Sequence, residues 1–233
     1  MNEKQVAGEK AAEFVRDGMV VGLGTGSTVY YSIRKIAELI NEGMKIKGVS
    51  TSKSTIGLAS SLGIELISID DVEKIDLTID GADEVDGNLN GIKGGGGALF
   101  FEKIVAYSSA KVIWVVDSTK MVNRLGKFPL PVEVSPFGYK QVYKKMKSEG
   151  MNPIVRLNNS QLFRTDSDNY IMDLHLDQID NPKELGTWIK EIPGVIEHGL
   201  FIELVDQVIV GKGDLAKTIN HRLVINNSTK RPY

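Results

Sequence analysis

The chain has 233 residues, enough for one large or two modest domains, and its 42% hydrophobic and 25% charged content is that of an ordinary globular protein. A formal net charge of −2 leaves no basic footprint for nucleic acid or for an anionic membrane surface. The absence of cysteine excludes disulfides, thiolate nucleophiles and cysteine-held metals, and no apolar run approaches the length needed to span a bilayer.

The start, MNEKQVAGEK, is polar and lacks the apolar core of a secretory signal, so a cytoplasmic protein is expected. Residues 3–16 place Val6, Ala7, Ala11, Phe14 and Val15 on one helical stripe. After a turn at Asp17-Gly18, residues 19–23 read as a buried strand that runs into Gly24-Thr25-Gly26-Ser27-Thr28. A helix over 29–40 follows, with Ser27 as its expected cap and Gly43 as its stop. Strand, glycine-rich turn and helix in that order suit an anion: N–H groups point at it, and Thr25, Ser27 and Thr28 add hydroxyls. A turn that binds nothing is the alternative.

Two commoner phosphate motifs do not fit. Ser27 stands where a dinucleotide fingerprint needs its third glycine, and the next strand (46–50) ends in Ser50-Thr51-Ser52 instead of an acidic residue. No G-x-x-x-x-G-K-[ST] occurs either. A small phosphorylated molecule is therefore expected rather than a nucleotide. A helix over 54–62 and strands over 64–69 and 75–80 come next. Alternating helices and short apolar strands predict an α/β fold, a Rossmann-like parallel sheet with helices on both faces. Ligands bind beyond the carboxyl ends of such strands, so residues 24–28, 50–52 and 80–84 should converge on one crevice.

The stretch from Asp80 to Glu102 reads DGADEVDGNLNGIKGGGGALFFE. Asp80, Asp83 and Glu84 crowd its start, Lys93 precedes Gly94, Gly95, Gly96 and Gly97, and Glu102 closes it. A glycine run costs much backbone entropy, so it needs a use. Bare N–H groups closing around an anion, with Lys93 adding charge, supply one. A flexible linker is the alternative, and the apolar flanks on both sides argue against it. A helix over 98–108 and a strand over 112–116 follow, and Ser118-Thr119-Lys120 lies just past that strand on the ligand side.

Beyond Phe128-Pro129-Leu130-Pro131 the order is strand (132–134), helix (139–149) and strand (153–157). A hairpin (162–165 with 170–174, turned at 166–169), a helix (182–191) and a strand about Val195 complete it. This βαββαβ order is ferredoxin-like, a second and smaller α+β domain. Residues 207–210 read as a last strand returning to the first domain. The division expected is 1–129, completed by 206–233, for the Rossmann-like catalytic domain and 130–205 for the smaller one. His175, His198 and His221 lack metal-ligand spacing, so no metal site is expected.

With these residues in place, the chain resembles ribose-5-phosphate isomerases of the A type. The resemblance rests on GLGTGSTVYYSI at 22–33, DGADEVD at 80–86, IKGGGGAL at 92–99, EKIVA at 102–106, LGKFPLPVEV at 125–134 and IPGVIEHGLF at 192–201. It implies interconversion of ribose 5-phosphate and ribulose 5-phosphate without metal or cofactor, in a homodimer or homotetramer assembled through the smaller domain. By position, Glu102 matches the family's base, with Asp80, Asp83 and Lys93 catalytic beside it. The substrate-binding positions are Thr25, Gly26, Ser27, Thr28, Asp80, Gly81, Ala82, Asp83, Lys93, Gly94, Gly95, Gly96 and Lys120. The family's loop often reads KGGGAA, so Gly97 as a fourth glycine is expected to loosen the turn slightly. Sugar-phosphate deaminases, lactonases and CoA-transferases share this fold family, the last with Glu102 as a covalent nucleophile; another alternative is a non-catalytic sugar-phosphate sensor joined to a DNA-binding segment, which this chain is expected to lack.

Overall fold

Residues 2–221 are described by a computed structural model, in which the chain divides into two units. One gathers residues 2–81, 101–121 and 203–221; the other gathers 82–100 and 122–202. The sequence-based division differs at 82–100 and 122–129, which group with the second unit, where the chain past Asp80 enters a small sheet of its own, and at 203–205, which group with the first. Residues 222–233, expected to complete the first domain, lie outside the described residues.

The chain opens with α1 (Glu3–Ala12), β1 (Val20–Leu23), α2 (Val29–Asn41), β2 (Lys47–Ser50), α3 (Lys53–Ser61) and β3 (Leu77–Asp80). Next come β4 (Glu84–Val85), β5 (Gly91–Ile92), α4 (Leu99–Tyr107), β6 (Val112–Asp117), β7 (Leu130–Val134) and α5 (Tyr139–Ser148). They are followed by β8 (Pro153–Val155), β9 (Leu157–Asn158), β10 (Gln161–Leu162), β11 (Tyr170–Leu174) and α6 (Pro182–Lys190). The last are β12 (Val195–His198), β13 (Leu200–Phe201), β14 (Gln207–Lys212) and β15 (Leu215–Asn220).

The first unit is built on a six-stranded sheet in the order β15-β14-β6-β3-β1-β2. All pairs are parallel except β14 with β15. The chain leaves β1 for β2 on one side and then crosses to β3 on the other, so the switch point of the sheet lies between β1 and β3. Burial explains the strand sequences: every residue of β6 is buried, Trp114 included, as an unbroken apolar run in a central parallel strand requires. Val21, Leu23, Ile79, Ile113 and Val115 pack with Ala7 and Ala11 of α1 and Ile33 and Ile36 of α2.

Two expectations fail here. Residues 64–69 form only a single bridge, Leu66 with Gly48, before the Ser68 side chain accepts from Asp70 N–H and turns the chain. And β14 is not the last strand: the chain reverses at Gly213 (φ +60°) and β15 adds an antiparallel edge.

The second unit carries the sheet β12-β7-β11-β8, antiparallel throughout. In order of appearance within the unit these strands read 4-1-3-2, with α5 and α6 in the two crossovers, which is the ferredoxin-like arrangement. Leu130, Val132 and Val134 pack with Val142, Met146 and Ile189. The hairpin differs from expectation. Residues 162–165 do not pair with β11; β9 and β10 pair instead, turned by Asn159 and Ser160, both at positive φ. Two consecutive left-handed residues give the turn whose twist matches a short hairpin. Phe163 N–H closes its base on the Arg156 carbonyl at 3.0 Å. A third sheet, β13-β5-β4, holds the segment after Asp80. No helix among the described residues is long and apolar enough to cross a membrane.

Candidate active site

In the first unit the switch point gathers three of the segments singled out by sequence. Gly24 N–H donates to the Ile79 carbonyl at 2.9 Å, so the turn after β1 leans on the end of β3. Asp80 then accepts on one oxygen from Thr25 N–H (3.1 Å) and Gly81 N–H (2.7 Å). A Cβ on Gly24 would sit 2.1 Å from that oxygen, so only glycine permits the approach. Thr25 Oγ1 lies 2.8 Å from Thr51 Oγ1, 2.7 Å from Ser52 Oγ and 3.1 Å from Thr55 Oγ1. Its hydroxyl thus belongs to a cluster that knits β1 to the start of α3. Of the three segments expected to converge, the contacts join Gly24 and Thr25, Thr51 and Ser52, and Asp80; Ala82, Asp83 and Glu84 belong to the second unit.

The start of α2 departs from expectation. Its cap is Thr28, not Ser27, and the Thr28 side chain makes no capping bond. The N–H groups of Ser27 and Thr28 find no acceptor among the described residues. They head a 13-residue helix, which leaves donors and a positive dipole end at one place. Lys4 Nζ donates to Ser27 Oγ at 2.9 Å and adds a full charge there. Sequence reading missed Lys4, because nothing local marks a lysine of α1 as a neighbour of this turn. Beside it, Glu3 accepts from Ser118 N–H (3.0 Å), Ser118 Oγ (2.8 Å) and Gly213 N–H (3.0 Å). These bonds, the one from Gly213 first, hold its carboxyl below the usual range. They also fix the start of the 3-10 turn Ser118–Lys120, on which Lys120 is half-buried.

Glu102 lies in the first turn of α4 and is 4% exposed. A carboxylate at a helix start is favoured by the helix dipole, which offsets part of the cost of burying it.

In the second unit, β4 and β5 pair with Glu84 opposite Ile92, so Asp83 and Lys93 form the next rung. Asp83 N–H donates to the Ile92 carbonyl at 2.8 Å. Lys93 is buried; its N–H donates to the Gly199 carbonyl (2.9 Å) and its ammonium stands 5.6 Å from the Phe201 ring centre. The glycines then make a tight turn, Gly97 N–H to the Gly94 carbonyl at 2.9 Å, with Gly94 at φ +109° and Gly97 at φ +80°. Asp83 accepts from Gly95 N–H at 2.8 Å. A Cβ on Gly97 would meet the Phe163 ring at 2.5 Å. The fourth glycine therefore closes the turn against an aromatic ring and does not loosen it. Gly95 and Gly96 face solvent, and Gly96 N–H has no acceptor among the described residues.

Glu84 has a different task from its neighbours. It is buried and accepts from Gly126 N–H (2.8 Å) and Phe128 N–H (2.7 Å), which holds the segment leading into β7. Among the described residues no group of three or more His, Cys, Asp or Glu side chains could hold a metal ion.

The chain is similar to known proteins over most of its length. A family model described as ribose 5-phosphate isomerase A (phosphoriboisomerase A) matches residues 47–215. The ribose-5-phosphate isomerase A of Bifidobacterium adolescentis is 53% identical over 210 residues, 89% of this chain and 90% of that protein. The solved ribose 5-phosphate isomerase A of Methanocaldococcus jannaschii superposes with a TM-score of 0.89 at 38% identity, covering 94% of this chain and 98% of that one. A D-ribose-5-phosphate isomerase solved in complex with phospho-erythronic acid gives 0.91 at 39% identity, covering 94% of this chain and all of that one.

The Gly24–Asp80 approach makes a direct prediction. Gly24→Ala should push the Asp80 carboxylate off its two N–H donors and destabilise the protein by about 1–3 kcal/mol, the usual cost of overpacking. Thermal melts compare it with Gly57→Ala, where no atom lies within 4 Å of the added carbon and the backbone is not left-handed. Equal melting shifts for the two variants would contradict the close approach.

Proposed function

The chain belongs to the ribose 5-phosphate isomerase A family, and we propose from that premise how its residues share the reaction. It is an aldose–ketose isomerase that interconverts D-ribose 5-phosphate and D-ribulose 5-phosphate by proton transfer through an enediolate, a step of the non-oxidative pentose phosphate pathway. Glu102 removes the proton from carbon 2 of the open-chain aldose. The electron pair left behind forms the carbon 1–carbon 2 double bond, and the carbonyl oxygen on carbon 1 becomes negative. Glu102 returns the proton to carbon 1, while the proton on the carbon 2 oxygen passes to the carbon 1 oxygen, giving the ketose. Lys93 and the Gly96 N–H stabilise the developing negative charge. Asp80 and Asp83 open the furanose ring and move protons between the two oxygens. Gly81, Ala82, Gly94, Gly95 and Lys120 line the sugar.

Glu102 carries this reading: it is a carboxylate buried at the head of α4, five residues after the glycine turn. Glu102→Gln keeps the shape and removes the base, so turnover should fall by about 10²–10⁴-fold with KM little changed. Running the wild-type reaction in D₂O should place deuterium on carbon 1 of the ketose, because a proton held by a carboxylate exchanges with water. Wild-type turnover in the variant, or full retention of the original hydrogen, would refute the role.

The phosphate belongs to Thr25, Gly26, Ser27 and Thr28. Support comes from the open N–H groups of Ser27 and Thr28 and from Lys4 beside them, whereas Gly95 N–H is already taken by Asp83. Thr28→Ala should weaken ribose 5-phosphate about tenfold, the worth of one charge-assisted hydrogen bond, and hardly alter unphosphorylated ribose. Equal weakening of both sugars would reverse the two ends of the substrate.

The enzyme works in the cytoplasm as a homodimer or homotetramer assembled through the second unit, where Phe137, Ile154 and Leu157 are 93%, 57% and 59% exposed. Light scattering should give a multiple of 25.6 kDa, and cell fractionation should place it with the soluble fraction. A monomer at working concentration would overturn the assembly.

A further inference from the structure

Arg156 follows β8, and its backbone is pinned on both sides. Its N–H donates to the Ile171 carbonyl at 2.9 Å, and its carbonyl accepts from Phe163 N–H across the base of the β9–β10 hairpin. The side chain is only 14% exposed. One edge of the guanidinium meets Asp173 twice: Nε to Oδ2 at 2.9 Å, and Nη2 to Oδ1. The remaining nitrogen, Nη1, donates to the Gly94 carbonyl at 2.9 Å and the Gly95 carbonyl at 3.1 Å. The Phe163 ring, which lies 5.6 Å from the guanidinium carbon, is the same ring that blocks a side chain at Gly97.

Those contacts decide which way two peptide groups face. In a trans peptide the carbonyl and the following N–H point to opposite sides. Drawing the Gly94 carbonyl onto the guanidinium sends Gly95 N–H the other way, where Asp83 accepts it at 2.8 Å. Drawing the Gly95 carbonyl onto the same cation turns Gly96 N–H away from it, at a residue that is exposed. Four glycines cannot enforce that orientation themselves, since each has the widest choice of backbone angles. Lysine could not replace the arginine: the geometry uses the fork of three nitrogens, one edge on a carboxylate and the tip on two carbonyls.

We propose that Arg156, oriented by Asp173, is a positioning residue for the isomerisation. It sets the direction of Gly96 N–H and the attitude of Asp83, and thereby the stabilisation of the enediolate oxygen. The inference rests on the isomerase reading above. A donor that acts on charge present only in the transition state changes turnover more than ground-state affinity.

The test compares wild type with Arg156→Ala, Arg156→Lys and Asp173→Asn in steady-state assays with ribose 5-phosphate, alongside thermal melts. Arg156→Ala should lose about 10- to 100-fold in kcat, somewhat less than deletion of a whole oxyanion donor, with KM within about threefold. Guanidinium ion added at millimolar concentration should restore part of that kcat, a readout that loss of general stability would not give. Arg156→Lys keeps a cation and an aliphatic stem but not the fork, and should lose about tenfold. Asp173→Asn should fall between it and wild type. If Arg156→Ala does not fold, Arg156→Lys carries the test alone. A kcat within twofold of wild type in Arg156→Lys and Arg156→Ala would overturn the proposal. So would a loss confined to KM, or one that guanidinium leaves unrestored in a variant melting like wild type. Inactive wild-type protein would instead refute the isomerase reading, so the two failures are separable.

Discussion

A run of glycines has no side chains with which to hold its own shape, so whatever grips its peptide groups decides whether it is a site or a tether. Here charged side chains do the gripping. Gly94, Gly95 and Gly97 are fixed by Asp83 on one N–H, by Arg156 on two carbonyls and by the turn's own hydrogen bond. Ordering four glycines in place of alanines costs about 2–4 kcal/mol, at roughly 0.5–1 each. A single hydrogen bond to a charged group is worth about 1.5–3 kcal/mol, so three of them outweigh that cost. The turn is therefore held in one shape, with Gly96 N–H left at the exposed side and without an acceptor among the described residues.

The same device recurs through the first unit. Asp80 accepts from two backbone N–H groups and joins the turn after β1 to the end of β3. Glu3 joins α1 to the 3-10 turn of Lys120 and to the loop before β15. Each carboxylate replaces secondary structure where the chain must leave its sheet. The first turn of α1 thus gives one residue, Glu3, to the loop of Lys120 and the next, Lys4, to Ser27. A helix that sequence alone reads as ordinary packing material bears on two of the loops assigned to the substrate.

Much of this was legible in the residues because both signals are local. Strand, glycine turn and helix lie in consecutive positions, and so do the acids, the lysine and the glycines of 80–102. The ferredoxin-like order was equally readable, since α5 and α6 carry strong apolar stripes. What escaped was short or distant. Strands of two residues, such as β4, β5, β9 and β10, have too little length for an alternating pattern to show. β15 alternates weakly on a sheet edge. Residues 64–69 look like a strand by composition and fail because their pairing stops at one bridge, Leu66 with Gly48. Arg156 is invisible as a partner of Gly94, because the contact spans 62 positions and depends on a hairpin that composition did not place.

The crowding of Asp80, Asp83 and Glu84 looks redundant in sequence, and strand geometry shows why it is not. Successive side chains along a strand point to opposite faces, so Asp83 and Glu84 cannot serve the same space. Asp83 extends the β4–β5 ladder by one rung and faces the glycine turn, half-exposed, with Gly95 N–H on one oxygen. Glu84 faces the other way and is consumed by Gly126 and Phe128. Length then matters as much as direction. A Cβ on Gly95 would sit 2.8 Å from the Asp83 carboxylate, so the turn already touches it. One more methylene at position 83 would have to displace the turn or swing the acid away from it. At position 84 the two carboxylate oxygens each take one N–H, Gly126 on Oε2 and Phe128 on Oε1. The two acids are thus divided by direction: Asp83 stays at the turn, and Glu84 holds the loop behind it.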